Sequence, residues 1–197
     1  MTSKLFVPGS NRRIQTVDYH IGMVGCGLLA DSRHLVSRAQ EEASNYRENY
    51  KLPIPSKIIA DRVAAYVSAF TLYSSVRPFG LATILASTDL DGPALYMIEP
   101  SGVYYGYHGC AAGKGKQIAK TEIEKLKFDS LSSRDAVKEA ARIIYLAHDE
   151  AKDKDFELEL SWICNESGGK HQFVPKDIAL EAERLAKASL NDEMDED

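Results

Sequence analysis

The stretch Tyr73–Asp89, YSSVRPFGLATILASTD, changes character at its middle. Upstream, ADRVAAYVSAFTL (Ala60–Leu72) repeats its apolar residues in steps of three and four, the spacing of an amphipathic helix. Downstream of Gly80, LATILAS is a short apolar run of the kind that forms a buried strand. Between them stand Arg77, Pro78, Phe79 and Gly80. Pro78 stops the helix and pushes Arg77 toward an extended backbone, and Gly80 permits angles that other residues resist. The joint therefore reads as the point where helical structure gives way to sheet.

Working outward, two short β-prone pieces, Ile14–Val17 and Ile21–Cys26, flank a polar Asp18-Tyr19-His20 turn and predict a hairpin. A helix is expected from Asp31 or Ser32, either of which can cap it, to Tyr50; Pro53 and Pro55 then break the chain. A second helix covers about Lys57 to Tyr73. After the joint come strands Leu81–Ser87, Ala94–Ile98 and Val103–His108, separated by the turn-rich DLDG and EPSG segments, which together predict an antiparallel meander. Helices are expected over Gly113–Phe128 and Ser132–His148. Phe156, Leu158, Leu160 and Trp162 alternate with polar residues and predict a strand whose partner is His171–Val174 across the Gly168-Gly169 turn. A final helix runs to about Asn191. Runs of strands alternating with pairs of helices favour an α+β class with antiparallel sheets, and covering both faces of two sheets predicts an α-β-β-α sandwich.

The bulk properties are consistent with one domain, residues 1–190, followed by an acidic tail at 191–197 that is expected to be disordered. A net charge of −5 without a basic block argues against nucleic acid or an anionic membrane as partner. No apolar stretch reaches the length of a membrane helix, and MTSKLFVPGSNRR lacks a signal-peptide core. Cys26, Cys110 and Cys164 are odd in number and widely spaced, which reads as reduced thiols in a cytosolic or nuclear protein.

Several motifs are best explained by structure. Gly109-Cys-Ala-Ala-Gly-Lys-Gly115 is one residue short of a phosphate loop and has Gly115 where a metal-binding hydroxyl is needed, so a Gly-rich turn is expected. The five histidines fall in separate elements without ligand spacing, so no metal site and no cofactor are expected. No nucleophile signature accompanies the Ser, His and Asp residues. Removal of Met1 would expose Thr2 as an N-terminal nucleophile, but Thr2 leads into a polar segment with a Pro-Gly break instead of a buried strand, and the incidental-terminus reading outweighs the catalytic one. Ser189 has Asp192 three residues on, with more acid beyond, which makes it a candidate phosphosite for an acidophilic kinase.

Three tracts in order, GLLADSRHL (Gly27–Leu35), YSSVRPFG (Tyr73–Gly80) and LYMIEPSG (Leu95–Gly102) with Gly113-Lys-Gly115, carry a specific likeness. From about Ser3 to Leu190 the chain resembles the α-type subunits of the proteasome core particle. DFELELSW (Asp155–Trp162) and the acidic C terminus are most similar to the seventh α position. The resemblance implies an N-terminal-nucleophile hydrolase-like fold in a non-catalytic subunit. It also implies a chain short of the family's N-terminal segment, including the first two strands of one sheet, with an exposed sheet edge and poor folding alone as the expected consequences. The implied partners are neighbouring α subunits, β-ring subunits, and a regulatory particle or other activator. In the family a basic residue before an Ile-Gln pair and a Gly before Leu-x-Ala-Asp line a pocket for an activator's C-terminal carboxylate. Those positions here are Arg13 and Gly27, with Arg13 replacing the usual Lys. The rivals are an N-terminal-nucleophile amidohydrolase of the same fold and a free α+β interaction domain.

Overall fold

The computed structural model describes Leu5, Val7 and residues 9–148 and 156–195; for 191–195 the description extends to backbone only. Thr2 therefore lies outside the described residues. The element order is β1 (Ile14–Asp18), β2 (Ile21–Gly27), α1 (Leu29–Tyr50), α2 (Ser56–Ala69), β3 (Leu81–Asp89), β4 (Gly92–Ile98), β5 (Tyr104–Gly106), α3 (Lys116–Glu124), α4 (Ser133–Ala147), β6 (Ser161–Trp162), β7 (Gln172–Phe173) and α5 (Lys176–Asp195). Contacts divide the chain into two compact units.

The larger unit, Arg13–Gly113 with Ile163–Gln172, is built on a five-stranded antiparallel sheet in the order β1-β2-β3-β4-β5. Every pairing is between sequence neighbours, as a meander requires. Met23 lies opposite Leu85, and Leu85 opposite Tyr96. The Asp89-Leu-Asp-Gly92 turn closes β3 onto β4 with a positive φ at Gly92, and Asp89 Oδ1 accepts from the Asp91 N–H at 2.9 Å. The other oxygen, Oδ2, accepts from the Ser56 N–H at 2.8 Å, so a turn of the sheet supplies an acceptor for a donor left open at the start of α2.

Along β3 burial alternates with period two. Leu81, Thr83, Leu85 and Ser87 are buried, whereas Ala82, Ile84 and Ala86 are half-buried. Helices α1 and α2 pack against this sheet with Leu35, Val36, Ala39, Ile59, Val63 and Val67, and the core they close includes Ile21, Met23, Ile54, Phe79 and Ile98.

The smaller unit contains Lys114–Trp162 and Phe173–Asp197, together with the residues up to Arg12. Ser132 caps α4, its Oγ accepting from the Asp135 N–H at 3.2 Å. Helices α4 and α5 pack on each other with Ala141, Ala182 and Ala186 fully buried, and the Tyr145 hydroxyl donates to Glu183 Oε1 at 2.7 Å. Glu122 on α3 accepts from Lys125 at 2.5 Å and from Arg142 of α4 at 3.0 Å.

Four expectations need correction. Helix α1 begins at Leu29 with the apolar Leu28 as its cap and no side-chain capping bond, and Asp31 lies within the first turn with its carboxylate engaged by Arg77 and the Gly80 N–H. Of the strand expected over Phe156–Cys164, only Ser161–Trp162 is laddered; β7 is equally short, and Pro175 has no N–H to extend the pairing. Phe156 instead lies against Tyr145 and His148, with ring centroids 5.0 and 4.6 Å apart. Helix α5, expected to end near Asn191, continues to Asp195; Glu and Met are good helix formers.

Candidate functional site

The end of β2 is the place where the predicted pocket residues meet. Gly27 has a φ of 150°, and a Cβ there would stand 2.3 Å from the Gly80 carbonyl oxygen and 2.7 Å from Leu81 Cα. Both obstacles are backbone, so no side chain fits, and the Leu28 N–H closes the approach by donating to Gly80 O at 3.0 Å. Arg13 stands one residue before β1. The antiparallel register, with Ile14 opposite Val24, brings its side chain along the last residues of β2. There Nη1 donates to the Gly27 carbonyl oxygen at 2.6 Å. The structure thus brings Arg13 and Gly27 into direct contact and fixes a permanent positive charge at this strand end. Cys26 feels both surroundings: burial pushes its thiol pKa up, and the Arg13 charge pulls it partly back.

Behind Gly27 lies an arrangement that the sequence did not disclose. Arg77 donates from Nη1 and Nη2 to the two oxygens of Asp31 at 2.8 and 2.9 Å, the bidentate geometry that a guanidinium and a carboxylate favour. Asp31 Oδ2 also accepts from the Gly80 N–H at 2.9 Å. The bonds from Arg77, then that from Gly80, hold the Asp31 carboxyl down to about 2. Phe79 packs edge-on to Phe70 at 4.7 Å and stacks with His34 at 5.8 Å, in a cluster that Tyr66 completes. The RPFG joint is therefore a clamp: Arg77 ties to α1, Phe79 enters the core, and Gly80 donates to α1 from one side and accepts from Leu28 on the other. Asp31 and Arg77 are 46 residues apart in sequence, and no local signal pairs them.

The remaining candidates are structural in what they touch. Ser189 lies within α5, half-buried, with its hydroxyl donating to the Ala186 carbonyl at 2.9 Å. His20 is buried with Nε2 at 2.9 Å from Ile54 O. His171 packs so closely on Gly22 that a Cβ at that glycine would fall 2.2 Å from its ring, and its Nδ1 is 2.8 Å from Thr16 Oγ1. Among the described residues no group of His, Cys, Asp or Glu could hold a metal ion. Cys26, Cys110 and Cys164 are all half-buried. Gly115 caps α3 with a left-handed φ of 75°, and a Cβ there would meet Ala147 O at 2.6 Å, so the Gly-rich segment is a tight turn into the helix. No helix of the described residues is long and apolar enough to cross a membrane.

Comparison with known proteins matches residues 1–163 to the family described as Proteasome subunit. The chain is 57% identical over 197 residues to "Proteasome subunit alpha type-3" of Oryza sativa subsp. japonica, covering 100% of this chain and 79% of that one. It is 55% identical over 195 residues to the protein of the same name from Acanthamoeba castellanii (99% and 77%). It is also 52% identical over 187 residues to "Probable proteasome subunit alpha type-7" of Schizosaccharomyces pombe (95% and 74%). With the α+β fold, the antiparallel sheets and the RPFG clamp in place, this chain belongs to the proteasome subunit family.

Proposed function

We infer that this chain is a non-catalytic α-type ring subunit of the proteasome core particle, supporting ring assembly, substrate access and activator docking in ubiquitin-dependent protein degradation. The observation that carries the reading is identity of more than half over nearly the whole chain to relatives named alpha type-3. Neighbouring α subunits and β-ring subunits are its assembly partners, and the cytoplasm and nucleus its compartments. Residues 1–190 act as one domain in this reading. Expressing a tagged copy in eukaryotic cells and sizing what co-purifies tests it. Comigration with a large particle bearing peptidase activity, and no fluorogenic-peptide turnover by the chain alone, is the expected result. A chain found only free, or one whose own turnover disappears on Thr2→Ala, would overturn it.

Within that role Arg13 and Gly27 contribute to a pocket for the C-terminal carboxylate of an activator. The contact between them supports the assignment, since it sets a cation beside exposed strand-end backbone. In an assembled α ring, Arg13→Ala should weaken crosslinking at this pocket by a peptide ending in hydrophobic-Tyr-x with a free carboxylate. Unchanged occupancy would remove the assignment. Ser189 remains the proposed phosphosite; because its hydroxyl is bonded within α5, labelling by an acidophilic kinase should require local opening of that helix turn.

A further inference from the structure

We propose that Asp31 and Arg77 are positioning residues for the Gly27 end of this pocket, an inference that rests on the pocket assignment above. The connection is continuous and consists of named bonds. Arg77 grips both oxygens of Asp31, and Asp31 Oδ2 fixes the Gly80 N–H at 2.9 Å. The carbonyl of the same Gly80 accepts from Leu28 N at 3.0 Å and occupies the space where a Gly27 side chain would be. Gly27 in turn presents its carbonyl to Arg13. Gly80 is tied on both sides of its Cα: the peptide N–H before it donates to a carboxylate, and the carbonyl oxygen after it braces Gly27-Leu28. Moving Asp31 moves Gly80, and Gly80 cannot move without changing where Gly27 places its carbonyl and hence where Arg13 holds its charge.

Burial fits this role. Asp31 is 8% exposed, so its carboxylate is confined to these partners. The Arg77 side chain is 65% exposed and keeps most of its surface in water. A pair needed only for cohesion gains little from one exposed partner, but a fork that fixes the direction of a buried carboxylate does orientational work whatever its net energy. Arg77→Lys keeps the charge and loses the fork, which makes it the discriminating substitution.

The test uses core particles assembled in cells with this subunit, wild type or variant. The probes are a photo-crosslinking peptide ending in hydrophobic-Tyr-x with a free carboxylate and the same peptide as its C-terminal amide. The readout is the acid-over-amide preference in half-saturating concentration for crosslinks to this subunit. A loss of stability alone lowers both probes together and leaves the ratio unchanged. A displaced cation lowers the ratio, by about fivefold if the coupling is of the size that packed networks carry. Amide exchange at Leu28 should accelerate in the same particles. An Arg77→Lys particle with unchanged preference overturns the inference. If Arg77→Lys does not assemble, Asp31→Asn, which keeps volume and an acceptor for Gly80, takes its place with the same criterion. Arg13→Ala separates the two levels. If it abolishes the preference while the clamp variants do not, only positioning fails; if it too leaves the ratio unchanged, the pocket assignment fails and the positioning role falls with it.

Discussion

Replacing Asp31 with Asn removes one negative charge and leaves the side-chain shape in place. In the folded chain the Asp31 carboxyl lies at about 2 against an ordinary 3.8, chiefly through the bonds from Arg77 and the Gly80 N–H. At about 1.4 kcal/mol per pH unit, that difference sets a ceiling of about 2.5 kcal/mol on what ionisation of Asp31 adds to stability. The Arg77 side chain is 65% exposed, so solvent screens much of the attraction, and an Asn oxygen can still accept from Gly80. About 1 kcal/mol is the reasonable expectation, equivalent to a fall of about 3 °C in the melting temperature of a chain this size. The sign follows from the depressed value. The contribution is complete above the unfolded pKa near 3.8 and is lost as pH falls through about 2. Thermal or urea unfolding of wild type and Asp31→Asn at pH 7 should therefore differ, and the curves should converge between about pH 4 and pH 2. A double-mutant cycle with Arg77→Ala isolates the pair, since the residues touch and their effects should not add. Equal stability at pH 7, or a gap that persists undiminished at pH 2, would refute the reasoning.

Three further outcomes follow from the same geometry. Gly27→Ala forces a Cβ to within 2.3 Å of a backbone oxygen at a φ of 150°, so it should lower unfolding stability by about 2 kcal/mol or more, measured as a shift in urea midpoint at constant m-value. Burial lowers the His171 pKa below its ordinary 6.5, so stability should be complete above about pH 6.5 and decline as pH falls below it; urea midpoints at pH 7.5 and 5.5 should separate in wild type and close up in His171→Gln. Phe79→Ala removes a ring that is 7% exposed from contact with Phe70, His34 and Tyr66, and should cost about 3–5 kcal/mol by equilibrium unfolding, with a result under 1 kcal/mol counting against the packing described.

The sequence determined the elements whose causes are local. The β1–β2 hairpin, the β3–β4–β5 meander and the Ser132 cap of α4 depend on turn residues, period-two alternation and a hydroxyl placed beside its acceptor, all properties of neighbours in the chain. Ordered tracts such as GLLADSRHL and YSSVRPFG identified the family because so many residue choices agree at once. Tertiary structure decided the rest. Asp31 has the composition of a helix cap, yet Arg77 and the Gly80 N–H offer it a bidentate pair and a backbone donor, and a cap cannot compete with both. Gly27 looks like one more glycine in a Gly-rich strand end; only the arrival of Gly80 and Leu81 from β3 shows that a Cβ there is excluded. The contact of Arg13 with Gly27 depends on strand register, and the short β6 depends on how little ladder its partner β7 offers before Pro175. Local pattern specifies which segments fold into what; where a carboxylate or a guanidinium finds its partner is settled by segments that meet only after folding, because hydrogen bonds act over a few ångströms and carry no signature along the chain.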